Sequence, residues 1–371
     1  MKYVTCLLVY LFWGTLNAQS LSVSPIIDRS IFDNQVIIAA LDSFLQTKNQ
    51  NAAANPYWLQ SDFERYVYPY ADILGIESSK FGDDFYKPTL MEILDTKLEH
   101  QKILKIGFVG YQSTTGERHL KGIYNIISNK VNGKIQFSKY LTYTTQHWKQ
   151  YRKGSLHYWV SPQRKVNVGE VNQQLKEIKK LCAFFGCAEL PITYYSCVNP
   201  KELFEIKGFD YTHSMYVSER GGLAEVGNLV FSANNSERYT HEIVHIYTHQ
   251  LYPVLHSFLD EGIATYLAGS GGFEYDWHRK VFQRYLSENP EFQLSEHLSP
   301  YEYLYIQQET PAPYIIGALV CERTIRLYGK EKLLSLLASK LELWPTLELV
   351  GLNRQNFDDE LRKELLLRSQ N

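Results

Sequence analysis

Hydrophobic positions change their spacing twice along this chain. Between residues 31 and 46, Ile31, Val36, Ile37, Ala40, Leu41, Phe44 and Leu45 recur three to five apart, which predicts a helix. The segment 51–89 is rich in Asn, Pro, Tyr and Asp and shows no clear period. From about Met91 to Val160 the period shortens to that of strands, in runs at 103–110, 120–127, 134–141 and 156–160 separated by turn residues. Asn132-Gly133 is the clearest hairpin signal among them, because a two-residue type I′ turn needs left-handed backbone at both positions. A helix followed by an antiparallel meander predicts an α+β N-terminal domain, and nothing in it carries evident chemistry.

A second unit is expected from about Ser155. A strand at 156–161 leads to Asn167, with Glu170 three residues later, the start of a capping box. Val171, Leu175, Ile178, Cys182 and Phe185 then line one face of a helix that Gly186 ends. The β-branched and aromatic run at 191–195 reads as a strand. So does 223–232, with Gly221-Gly222 at its start as expected of an edge strand that another backbone approaches. Ser236 is placed to cap a helix over 237–250, which must stop before Pro253. The expected division is a segment 1–18, an α+β domain at 19–154 whose role the sequence does not give, and a second domain at 155–371.

Composition narrows the class. At 371 residues the chain exceeds one typical domain, and 44% hydrophobic with 21% charged residues is ordinary for a globular protein. A net charge of -2 lacks the basic excess that nucleic-acid binding requires. The 28 tyrosines are spread along the whole chain, as in half-buried strands rather than one special site. Lys2, the apolar run 4–13 and the small-residue end at Ala18 predict a secretory signal peptide cut after Ala18, hence an exported, periplasmic or secreted protein. Cys6 lies within the apolar run, unlike a lipid-anchored cysteine, and no later stretch reaches the roughly 18 apolar residues of a membrane span. Cys182, Cys187, Cys197 and Cys321 have no CxxC spacing, so they are expected as buried thiols or one bridge of undetermined connectivity.

The chemistry lies at His241-Glu242-Ile243-Val244-His245. On a helix the two histidines are one turn apart on one face and can grip a single cation, while Glu242 can reach a water beside it. A catalytic zinc takes three protein ligands, and the downstream candidates are His249, His256, Asp260 and Glu261. A third ligand at His249 would spread the set over about 12 Å of helix axis, too far for one ion. His256 has only proximity in its favour. The phrase Phe258-Leu259-Asp260-Glu261-Gly262-Ile263-Ala264-Thr265-Tyr266 starts a further helix directly after the turn, so a carboxylate in its first turn can point back.

With H-E-x-x-H followed by this phrase, the chain resembles the gluzincin metallopeptidases of the peptidase MA-like group, over roughly residues 155–345. The resemblance implies a zincin-type domain, with a mixed sheet and active-site helix followed by a helical C-terminal subdomain. It also implies one Zn²⁺ held by His241, His245 and Glu261. Tyr314-Ile315-Ile316-Gly317 is similar to the Y-x-x-G phrase of the M1 aminopeptidases, which makes Tyr314 the oxyanion donor. The implied activity is hydrolysis of a peptide or protein substrate by a zinc-activated water, with Glu242 as general base and the strand at 223–232 aligning the substrate. A metzincin would need a histidine where Leu251 stands. The M1 phrase G-x-M-E-N has no counterpart, so Glu225 is expected as an exposed strand charge and aminopeptidase specificity does not carry over. Asp260 is expected either to back a zinc ligand or to stand exposed at a helix start; His213 and His249 receive no role. Two alternatives stay open: a non-catalytic exported binding protein that retains zinc, and a zinc hydrolase acting on a non-peptide amide.

Overall fold

In the computed structural model, residues 21–51, 53–82, 85–302, 304–307 and 309–367 are described; the expected signal peptide lies outside them. The chain forms two units. One takes in the chain up to Gln60 together with Tyr70–Ser138, the other Ser61–Pro69 and the chain from Lys139.

The first unit contains β1 (Ser22–Val23), α1 (Phe32–Thr47), α3 (Ala71–Glu77), β2 (Tyr86–Asp95), β3 (Gln101–Gln112), β4 (Glu117–Val131) and β5 (Lys134–Lys139, which crosses the boundary). The strands are neighbours in that order, with β2, β3 and β4 antiparallel. Asn132 and Gly133 make the β4–β5 turn with φ of 50° and 76°, the left-handed pair that a type I′ hairpin demands. α1 buries Ile37, Leu41, Phe44 and Leu45, the stripe its period predicts. Phe44 meets Trp58, Tyr70 and Phe137, with ring centroids 5.1, 5.3 and 5.7 Å away. Strand β2 begins inside the segment without a clear period and is held by its antiparallel pairing with β3 and, at Thr89 and Leu90, by parallel pairing with β1.

The second unit holds α2 (Gln60–Tyr66, from Ser61 on), α4 (Tyr140–Thr145), β6 (Lys149–Lys153), β7 (Leu156–Val160), α5 (Val168–Phe185), β8 (Ile192–Ser196), α6 (Pro200–Lys207), β9 (Phe209–Thr212), β10 (Gly222–Glu225) and β11 (Leu229–Ser232). Its sheet runs β10-β11-β8-β7-β6, parallel through β11, β8 and β7 and antiparallel at both edges. The expected boundary at 154/155 falls in the β6–β7 turn and cuts a paired hairpin, which is why the unit starts at Lys139 instead. The single strand expected at 223–232 is likewise a hairpin, since Gly227 and Asn228 take φ of 91° and 58° and turn the chain.

Helices make up most of the remainder: α7 (Thr240–Leu251), α8 (Ser257–Ala268), α9 (Tyr275–Glu288), then the short β12 (Tyr305–Gln307) and β13 (Thr310–Pro311), followed by α10 (Ala312–Tyr328), α11 (Lys330–Leu337), α12 (Leu343–Glu348) and α13 (Phe357–Leu367). Their apolar faces share one core with the sheet, from Tyr158 and Tyr194 through Ile243, Leu259 and Leu319 to Leu361. An α+β architecture with a mixed sheet and a helical C-terminal part results. Among the described residues no helix is long and apolar enough to cross a membrane, and the four thiols are unbridged, with Cys197 and Cys321 buried.

Candidate active site

Helix α7 starts at Thr240, later than expected, and Ser236 does not cap it. The Ser236 hydroxyl donates to Glu170 Oε2 at 2.7 Å, and the same oxygen accepts Glu237 N–H at 2.8 Å. Asn167 alone caps α5, accepting from Gly169 and Glu170 N–H. The lead-in to α7 is thereby bolted to the start of α5, and Gln174 Oε1 accepts the otherwise orphaned Tyr239 N–H at 2.8 Å. Buried Glu237 completes this anchor with Arg164 at 3.1 Å and Ser196 Oγ at 3.1 Å. Residues 240–248 of α7 are buried, so the helix is held by tertiary contacts rather than by its own cap.

On this helix His241 Nε2 and His245 Nε2 lie 3.3 Å apart. Glu261, in the early part of α8, brings Oε2 to 3.2 Å from the first and 3.4 Å from the second. The face of a tetrahedron around an ion with ligand bonds of about 2.0–2.1 Å has edges of about 3.3–3.4 Å. Three donors of the types zinc prefers therefore form a triangle of the right size, and these residues could hold a metal ion. His241 Nδ1 donates to Gly269 O at 2.6 Å, which leaves the Nε2 lone pair facing the triangle.

Asp260, beside Glu261, is buried. Its Oδ1 accepts from Thr248 Oγ1 at 2.6 Å, and its Oδ2 lies 2.8 Å from His249 Nε2 and 3.0 Å from His245 Nδ1. Of the two expectations for Asp260, the exposed helix-start charge is thus replaced by a carboxylate backing His245. His249 stays outside the triangle and meets Asp260 instead. His256 faces away, with Nε2 at 2.8 Å from Leu341 O.

The charges of this cluster are set by burial and by one another. Burial disfavours a charged His245, yet the Glu261 and Asp260 carboxylates raise its pKa well above the ordinary value. Burial pushes Glu261 upward, but His245 and His241 hold it down at about 2. Asp260 is likewise kept well below the usual carboxylate range, against burial, by His245, His249 and Thr248. Glu242 behaves differently: burial raises its carboxyl, and His245 and His241 only partly oppose this. A raised carboxyl suits a group that takes and returns a proton near neutrality.

Tyr314 lies in the first turn of α10, its ring parallel to His241 within 8° at 6.0 Å. It gets there because α10 crosses α8 at two glycines: a Cβ on Gly317 would stand 2.8 Å from Gly262 Cα. Glu261 and Tyr314 flank this crossing, next to Gly262 and one turn before Gly317, so close backbone approach brings the two side chains to one site. Burial raises the Tyr314 hydroxyl pKa well above its ordinary value, as do Glu261 and Glu242, so it stays a proton-bearing donor.

These side chains open into a cleft of about 400 Å³ whose wall includes β10 residues Gly222, Leu223 and Ala224. Glu225, at the end of that strand, is not an exposed charge: it pairs with the buried Lys207 and with Lys139. Sequence reasoning missed several further cleft residues, among them Arg220, Tyr305 and Glu309. Arg220 and Glu309 sit on connecting segments and Tyr305 on the three-residue β12, with no period or motif to mark them.

No protein-family model and no curated protein matches this chain. Two crystal structures of an M1 zinc metallopeptidase from Deinococcus radiodurans, one of a mutant bound to a Tyr-Ser-Ala substrate, are similar to it. Sequence identity is 13% and 12%, and the TM-scores are 0.29 and 0.28. The likeness covers 77% and 76% of this chain but 64% of each of the others, and it is too remote to transfer residue roles.

Proposed function

We propose that this protein is an exported zinc-dependent metallopeptidase. One observation carries the reading: the triangle of His241 Nε2, His245 Nε2 and Glu261 Oε2, with sides of 3.2, 3.3 and 3.4 Å, beside a buried Glu242. His241, His245 and Glu261 would hold the ion, which when bound supplies Lewis acidity toward water and toward the scissile carbonyl. Glu242 accepts the proton of the attacking water and delivers it to the leaving amine. The Tyr314 hydroxyl donates to the oxyanion that develops at the carbonyl. The open edge of β10 lines the cleft, and its backbone would align an extended substrate by strand addition.

Metal analysis of the purified protein should find one zinc per chain. Glu242→Gln should keep the zinc and lose roughly 10²–10⁴-fold in turnover, the usual worth of a general base. A zinc-loaded wild type that cleaves no member of a peptide library would sink the peptidase reading and leave the binding-protein and non-peptide-amide alternatives. Equal rates for wild type and Glu242→Gln would remove Glu242 from the mechanism. Export rests on residues 1–18 alone, and N-terminal sequencing of the mature protein should begin at Gln19.

A further inference from the structure

The cysteines take no part in the chemistry above, yet two of them are neighbours at a built position. Helix α5 ends at Phe185, and Gly186 follows with φ of 70°, the left-handed residue that stops many helices. Cys182 O accepts Gly186 N–H at 2.8 Å and Cys187 N–H at 3.1 Å. The second of these is the six-to-one bond of a Schellman motif, whose two ends commonly meet through a pair of apolar side chains. Here both ends are cysteine. Their shared backbone bond keeps the two Cα atoms close, as a disulfide span of about 4.4–6.8 Å requires. Burial raises the Cys187 thiol pKa, and the Cys182 thiol beside it raises it further.

Access separates this pair from the other described thiols. Cys182 and Cys187 are half-buried at the edge of the core, whereas Cys197 and Cys321 are fully buried in two different apolar clusters. The pair also touches the helix that carries His241 and His245. The Cys182 thiol donates to Tyr247 Oη at 3.3 Å, and Leu190 N–H donates to the same oxygen at 3.2 Å. Oxidation of Cys182 removes the first donor and leaves the second. We propose that Cys182 and Cys187 form a disulfide across the end of α5, closing the turn that leads to the Leu190 anchor of α7. The oxidant is a reactive disulfide, which the export proposed above would supply. One cysteine thiolate attacks it, expels a thiolate and forms a mixed disulfide; the other attacks the protein sulfur of that bond and expels the second thiolate. The pair gives up two electrons and two protons, and the oxidant leaves as two thiols.

The test uses the purified protein, reduced, freed of reductant and incubated with oxidised glutathione. Free thiols are then blocked under unfolding conditions and the chain is mapped by mass spectrometry. The expected product is two hydrogens lighter than the reduced chain, with one bond between Cys182 and Cys187 and with Cys197 and Cys321 still thiols. Its Tm should rise by about 4–9 °C, the scale for so short a loop in a unit of this size. Cys187→Ser should instead retain glutathione on Cys182, because no second thiol is there to expel it. Glutathione retained on the wild-type pair, both thiols left free, or a bond to Cys197 or Cys321 overturns the inference. A closed bond that leaves Tm unchanged overturns the clamp on the turn. Bond and melting temperature are read without peptide or zinc, so the outcome stands apart from the peptidase and export readings.

Discussion

Asp260 hydrogen-bonds through both carboxylate oxygens inside the protein, to Thr248 at 2.6 Å and to His249 at 2.8 Å, and the second oxygen also lies 3.0 Å from His245 Nδ1. The carboxylate charge thus stands directly behind the His245 ring, on the side away from the Nε2 that faces His241 and Glu261. Asp260→Asn preserves size but removes the charge behind the imidazole. It should weaken zinc affinity by about 10–100-fold, as loss of a carboxylate behind a ligating histidine does. Competition against a chromogenic chelator would measure this, and an unchanged affinity would reduce Asp260 to a packing residue. Tyr314→Phe asks a separate question, because the ring can keep its parallel contact with His241 while only the hydroxyl is lost. It should lower kcat by about 10²-fold, the lower range for one oxyanion donor, with KM and zinc content little changed. Steady-state kinetics that leave kcat intact would end the oxyanion role.

The α8–α10 crossing transmits packing to chemistry. A Cβ on Gly317 would lie 2.7 Å from Phe258 O and 2.8 Å from Gly262 Cα, both backbone atoms that cannot swing aside. Gly317→Ala should therefore force the helices apart at a cost of about 1–3 kcal/mol, the range for overpacking. It should also separate Glu261 from Tyr314. Denaturant melts should show the stability loss, and activity at saturating zinc and full folding should still be reduced; a variant that is destabilised yet fully active would uncouple the crossing from the site. Elements of this kind also show how far a sequence speaks for itself. The α1 stripe, the one-turn spacing of His241 and His245, and the Asn132-Gly133 turn are local properties, and local patterns survive folding. The β10–β11 hairpin was hidden because Gly227-Asn228 sits inside an otherwise continuous strand-like run. Ser236 looked like a helix cap because its partner Glu170 is 66 residues away and no spacing rule reaches it. Glu309 carries no periodic signal at all; only the β12–β13 fold brings it to the cleft.

At the scale of the whole molecule, the cluster on α7 and α8 couples metal to stability. The Glu261 carboxylate lies against both buried histidines, His241 and His245, and Asp260 lies against His245. Zinc that binds the folded chain and not the unfolded one stabilises it by about 2.7–4.1 kcal/mol at 100–1,000 times Kd. For a unit of this size each kcal/mol moves Tm by roughly 2–4 °C, so saturating zinc should raise its Tm by about 5–15 °C. The pH dependence has a definite sign. The carboxylates raise the His245 pKa, so the metal-free protein holds a proton there that zinc must displace. The stability this proton brings to the metal-free form is complete below the unfolded histidine value and is lost as pH rises through the raised one. Zinc affinity rises over the same interval, so the Tm gain on adding zinc should grow as the pH rises above the ordinary histidine value of about 6.5. Scanning calorimetry with and without a chelator would follow it. Glu242→Gln, which leaves the three donors in place, should keep the shift, and His245→Ala should lose it; an undiminished shift in His245→Ala would place the stabilising ion elsewhere in the chain.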